Sequence, residues 1–125
     1  MPEELAKQLQ EGSDQLAQGR ISESRDTFLK IIRRSSEIGD RLSLADAFCG
    51  LAEAESDLEN LPAAEHIYSN AAVLYRELGD SVKLSKVLHQ QTALLRALGK
   101  VPEADATEQE ARSIDEGYSS ASQAE

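Results

Sequence analysis

Two nearly identical tetrapeptides, EIGD at 37–40 and ELGD at 77–80, stand 40 residues apart in this chain. Leu61-Pro62 and Val101-Pro102 are separated by the same 40 positions, and Ile21-Ser22 holds the matching place near the start. The register divides the chain into residues 1–40, 41–80 and 81–120. Laying the second unit on the third gives identities at Leu44/Leu84, Leu58/Leu98, Pro62/Pro102, Ala64/Ala104 and Ala71/Ala111. A period of roughly 20–50 residues marks a supersecondary unit that cannot bury its apolar face alone and must stack on its neighbours.

The punctuation within each unit says what the unit is made of. Gly39 and Gly79 can take positive φ and end a helix, and Asp40 and Asp80 can cap the next by accepting backbone N–H bonds. Pro62 and Pro102 suit a first helical turn, where no N–H is needed, and Ser22 takes the N-cap role in the first unit. Between these marks apolar residues recur at three and four, as in Phe28, Ile31, Ile32 and Ile38, or Ala64, Ile67, Tyr68, Ala71, Tyr75 and Leu78. Six helices are predicted, at 3–18, 22–38, 41–58, 62–78, 81–98 and 102–116. Short connections make consecutive helices antiparallel, so the expected fold is all-α, three helical hairpins side by side. Composition agrees. Apolar residues reach 40% while aromatics are only 4% and tryptophan is absent, so the core must be Leu, Ala, Ile and Val, which favours closely packed helices.

These residues resemble the tetratricopeptide repeat family. That family places a bulky residue, a leucine and a small residue in its first helix, and a small–aromatic–small stripe in its second. Phe48, Leu51 and Ala52, followed by Ala64, Tyr68 and Ala71, match all of these positions. The first unit keeps Gly12, Ser24 and Phe28 but has Gln8 and Glu11 at the bulky and leucine positions. The third keeps Leu88, Ala104 and Ala111, with Gln91, Thr92 and Glu108 as departures. The resemblance covers about residues 3–116 and is to the 40-residue variety found in signalling scaffolds. It implies a right-handed α-solenoid of three hairpins, with units at 1–40, 41–80 and 81–116 and a concave groove lined by each first helix. Terminal repeats face water on one side and turn polar. The last helix, with Glu103, Asp105, Glu108, Glu110, Asp115 and Glu116, reads as such a cap, and residues 117–125 (GYSSASQAE) as a disordered tail.

Charge and motif content narrow the function. The formal net charge is −10 and the sequence pI about 4.6, a field that repels phosphates and argues against nucleic acid and anionic membranes as partners. No apolar run approaches the roughly 18 residues of a membrane span, and the opening MPEELAKQLQ is unlike a secretory signal. Cys49 is the only cysteine, so the chain can form neither an internal disulfide nor a cysteine metal cluster, which suits a reducing, cytoplasmic setting. Phosphate-loop, dinucleotide, zinc-protease and serine-hydrolase motifs are missing, and neither a cofactor nor a metal is expected. Cys49 and His89 occupy equivalent places on adjacent first helices, both expected to face the groove. Neighbouring helices lie about 8–10 Å apart and no third residue orients the pair, so the reading is a small apolar thiol and an exposed histidine, not a nucleophile. Glu53, Glu55 and Asp57 are expected to form a solvated face, and His66 to lie on the outer face.

What remains is the groove that the resemblance implies. The first unit would supply Leu9, Ser13 and Leu16, the second Asp46, Cys49, Glu53 and Asp57, and the third Lys86, His89, Ala93 and Arg96. One wall is then apolar, the middle acidic and the far wall basic, a sequence of charge that sets the register of a bound peptide or helix. Some relatives clamp acidic carboxyl-terminal tails of heat-shock chaperones. The corresponding places here hold Leu9, Ser13, Gly50, Lys86 and Gln90, of which only Lys86 fits, and the nearby acids would repel such a tail. The expectation is a non-catalytic adaptor for a protein or peptide. The alternatives are a homodimer through the end helices, with Leu5, Leu9 and Leu16 as suspects, a fragment of a larger repeat regulator, or a small acidic chaperone.

Overall fold

A computed structural model describes residues 3–124 of the chain, with side chains through Gly117. It contains six helices: α1 (Glu3–Ala17), α2 (Ile21–Ile38), α3 (Arg41–Asp57), α4 (Leu61–Leu78), α5 (Ser81–Ala97) and α6 (Val101–Ala124). There is no strand among the described residues. Helix α6 runs to Ala124, beyond the 102–116 expected from the sequence. Ser119 stands where Gly39 and Gly79 end α2 and α4, so no left-handed stop interrupts this stretch of Ala, Ser and Gln.

The helices are joined by one turn, used five times. Gly19, Gly39, Glu59, Gly79 and Gly99 all have positive φ, between 66° and 78°. In each case the next N–H closes back onto the carbonyl five residues earlier. The bonds are Arg20 to Gln15, Asp40 to Ser35, Asn60 to Glu55, Asp80 to Tyr75 and Lys100 to Leu95, all 2.8–3.0 Å. This is the Schellman closure, which satisfies carbonyls that a helix end would otherwise leave open. The backbone therefore repeats every 20 residues, half the period written in the side chains. Starts alternate instead. Asp40 and Asp80 accept from the backbone N–H of Ser43 and Lys83 at 3.0 and 3.1 Å, whereas Arg20 and Asn60 precede α2 and α4 without a side-chain cap. Ser22 lies inside the first turn of α2 and is not its cap.

Each helix packs on the next, and α1 also packs on α3. Leu5, Phe28, Ile31, Ala47 and Leu51 form one cluster among α1, α2 and α3. A second runs from Ala45 and Ala52 through Ala64, Tyr68, Ala71 and Tyr75 to Leu84, Val87, Leu88 and Ala111. Phe28 wedges its ring between two glycines. A Cβ on Gly12 would lie 2.7 Å from the ring, and one on Gly50 2.3 Å. Ser24 fastens the same spot by donating its hydroxyl to the Gly12 carbonyl at 2.8 Å.

Two expectations change at this level. Leu5 is buried and Leu9 and Leu16 pack against its cluster, so the apolar residues that suggested a dimer face on α1 are largely covered. Glu55 is not part of a solvated face: only 6% exposed, it meets Arg25 Nε at 2.6 Å and accepts from Asn60 Nδ2 at 2.8 Å. Two residues of helix rotate a side chain by about 200°, which leaves Glu53 and Asp57 outside and turns Glu55 against α2.

The turns and the wedge can be tested by urea denaturation. Among the described residues Glu59 is the one side chain forced into the left-handed region, so Glu59→Gly should raise stability by about 0.5–1 kcal/mol, and Gly79→Ala should lower it by about 1 kcal/mol or more. Gly50→Ala should cost about 1–3 kcal/mol through overpacking. Much of that should return in the double variant with Phe28→Leu, and simple additivity would mean that the two residues are not in contact.

Candidate functional site

A solvent-open cleft of about 410 Å³ lies between α1, α3 and α5. The first helix of each unit supplies its sides. Ala6, Leu9, Gln10 and Ser13 come from α1, Asp46, Cys49, Gly50 and Glu53 from α3, and Lys83, Lys86, Val87 and Gln90 from α5. The floor comes from the second helices. Phe28 reaches it where Gly50 has no side chain, and Tyr75 enters from α4. A smaller recess of about 240 Å³, lined by Ser13, Leu16, Ala17, Glu53 and Asp57, shares Ser13 and Glu53 with the cleft and so extends it.

Asp46 is the centre of a network joining three helices. It accepts from the Tyr75 hydroxyl at 2.5 Å and from Lys83 Nζ at 3.0 and 3.1 Å. Cys49 Sγ lies 3.6 Å from the same hydroxyl, and the Lys83 ammonium stands 6.0 Å from the centroid of the Tyr75 ring. Burial pushes the Cys49 thiol up to about 11, and burial with the neighbouring Cys49 and Asp46 raises the Tyr75 hydroxyl well above the ordinary phenol value. Both are therefore protonated at neutral pH and act in packing and hydrogen bonding, not as nucleophiles. Asp46 is spent on this network. Glu53, Asp57 and Lys86 have no ion-pair partner among the described residues, and they are exposed.

The expected basic wall is smaller than the sequence suggested. His89 Nε2 lies 3.0 Å from Asp115 Oδ2 on α6, and the Ser85 hydroxyl donates to the same carboxylate. These two contacts hold Asp115 below the usual carboxylate range. Arg96 pairs with Asp105 at 3.2 Å and also with Glu108, so its charge is turned toward α6. Ala93 is exposed and lines neither the cleft nor its extension. The acidic α6 engages both side chains, leaving Lys83 and Lys86 as the cleft's basic side. Cys49 and His89 line different recesses, so the fold does not assemble them as a pair.

Sequence reasoning missed Tyr75, Lys83 and Phe28 as lining residues. Lys83 had a signal, standing one helical turn before Lys86 on the same face. Tyr75 and Phe28 had none, since each reads as core and is core at one end. Among the described residues no three His, Cys, Asp or Glu are grouped to hold a metal ion, and no helix is long and apolar enough to cross a membrane. No family model matches the chain, and neither does any curated protein or solved structure.

The raised thiol sets a pH dependence. Cys49 holds its proton more tightly folded than unfolded, so its contribution is fully present below about pH 9 and is lost as pH rises toward about 11. Tyr68 and Tyr75, both raised chiefly by burial, act in the same direction at higher pH. Urea midpoints should fall above about pH 9, and Cys49→Ser should reduce that fall relative to its own midpoint at neutral pH.

Proposed function

We propose that this chain is a non-catalytic protein-interaction module, a right-handed α-solenoid of three tetratricopeptide-like hairpins holding a peptide segment of a partner protein in the cleft between α1, α3 and α5. The observation that carries this reading is the pair of exposed charges, Glu53 on α3 and Lys86 on α5, which line one cleft together with Gly50 and Phe28. Neither charge has an ion partner among the described residues, whereas Asp46, Arg96 and His89 are all paired. Gln10, Gly50 and Gln90 occupy the same place in successive units. The outer two offer amides and the middle one leaves room for a backbone to lie close. An amide side chain both donates and accepts, which suits the peptide groups of a bound segment. Gln10 gives one hydrogen to Asp14 at 2.9 Å and keeps its carbonyl for such a partner.

The complementary peptide carries a carboxylate for Lys86 and a basic residue for Glu53 and Asp57. Opposite charges at two places fix direction and register more than they add affinity. An all-acidic tail fits poorly, because Glu53 and Asp57 face it. A single thiol held in its protonated form is compatible with a reducing compartment such as the cytoplasm.

Selection of random displayed peptides on the folded chain tests this reading. Binders should share one acidic and one basic position at fixed spacing. Their affinity, measured by fluorescence anisotropy, should fall about tenfold on Lys86→Gln and on Glu53→Gln. Binders without a common charge pattern, or indifferent to both substitutions, would reject the cleft as the site.

A further inference from the structure

A second recess, of about 380 Å³, opens between α5 and α6. Its apolar walls are Ile114 and Val82, and Val82, at 64%, has the highest exposure of the large apolar side chains described. Its polar rim is Ser85, Lys86, His89 and Asp115. Each of these six stands 40 positions after a residue of the second unit: Leu74, Leu42, Ala45, Asp46, Cys49 and Tyr75. In the second unit those positions are occupied ground. Ala45 and Tyr75 belong to the cluster that contains Leu84, Val87 and Leu88 of α5, and Leu42, Cys49 and Leu74 pack against it. Asp46 receives Lys83 of α5. The slot on the second unit is thus filled by α5, and the equivalent slot on the third is open among the described residues.

At one position the rim of the third slot inverts the charge of the second, while Asp115, where the second has Tyr75, is engaged by Ser85 and His89. Lys86 replaces Asp46, so a helix seated there in the manner of α5 would need a carboxylate where α5 has Lys83. Two occupants that the described residues could supply fit poorly. Helix α6 does not turn back over the slot, because it continues past Ser119, the register position of the glycines that end α2 and α4. A second copy stacking through α1 would present Glu4, Lys7 and Gln8 where α5 presents Leu84, Val87 and Leu88, and would bury charge against Val82 and Ile114.

We propose that this slot docks an amphipathic helix of a different protein, in the pose that α5 takes on the second unit. The helix has apolar residues at i, i+3 and i+4 against Val82 and Ile114, and a carboxylate at i−1 against Lys86. This site is separate from the cleft, although Lys86 borders both.

The probe is a synthetic peptide with the sequence of residues 81–97, compared with the same peptide carrying Lys83→Glu, each titrated into the full chain. The Glu peptide should bind about tenfold more tightly than the Lys peptide, and the order should reverse on the Lys86→Glu chain. Val82→Arg should abolish binding of both while peptides selected on the cleft still bind, since Val82 does not line the cleft. Val82 is exposed, so this variant should fold, as its circular dichroism melt would show. Absence of saturable binding, or binding that Val82→Arg leaves unchanged, overturns the proposal. So does a mass that doubles with concentration and reverts on Val82→Arg, because the slot would then be a contact between copies.

Discussion

The left-handed turn closed by a bond to the fifth residue back is the constraint from which the rest of the structure follows. It satisfies carbonyls at a helix end and reverses the chain in two or three residues. Because the same closure recurs at Gly19, Gly39, Glu59, Gly79 and Gly99, residues 40 positions apart are delivered to equivalent backbone positions. That equivalence makes sequence differences between units interpretable. Where Asp46 becomes Lys86, or Gly50 becomes Gln90, the backbone setting is held constant and the side chain alone changes.

The ion pairs show how much of the basic surface is committed, although acidic residues outnumber basic ones. Arg25 is drawn to Glu55, Arg41 to Glu77, Arg76 to Glu110, and Arg96 to Asp105 and Glu108. The exposed pairs among these contribute little stability one by one, Arg25 with the buried Glu55 being the exception in its surroundings. Several of them tie different helices together, however, and they remove most arginines from any role toward a ligand. Lys86 stands out against that background as a basic side chain with a recess on either side and no partner among the described residues.

Much of the architecture was legible because its signals are local. Gly39, Gly79, Asp40, Asp80, Pro62 and Pro102 each state a backbone requirement, and the helix boundaries follow from them. Glu59 was illegible for the opposite reason: a glutamate gives no hint that it will take a positive φ, and only the register reveals it. Ser22 misled, since a capping residue is worth nothing one position too late. At the site, the direction of the charges was not legible. Whether His89 and Arg96 face the cleft or α6 depends on rotamer and lateral offset between helices, and on the acids that α6 brings near. Glu55 was misjudged as one of a run of acids, although its neighbours at two residues' distance lie on another face.

The identity of the turns also bears on how such a chain can change its length. Gly39-Asp40 and Gly79-Asp80 end and begin helices in the same way, and α3 and α5 present apolar residues at matching places, Leu44 and Leu84 among them. A recombination event joining the first of these turns to the segment after the second would delete 40 residues without cutting a helix. The reciprocal product would carry an additional unit between the same two ends. Inheritance in whole units is therefore mechanically permitted at these junctions, and a partial unit would strand an apolar face with nothing to cover it.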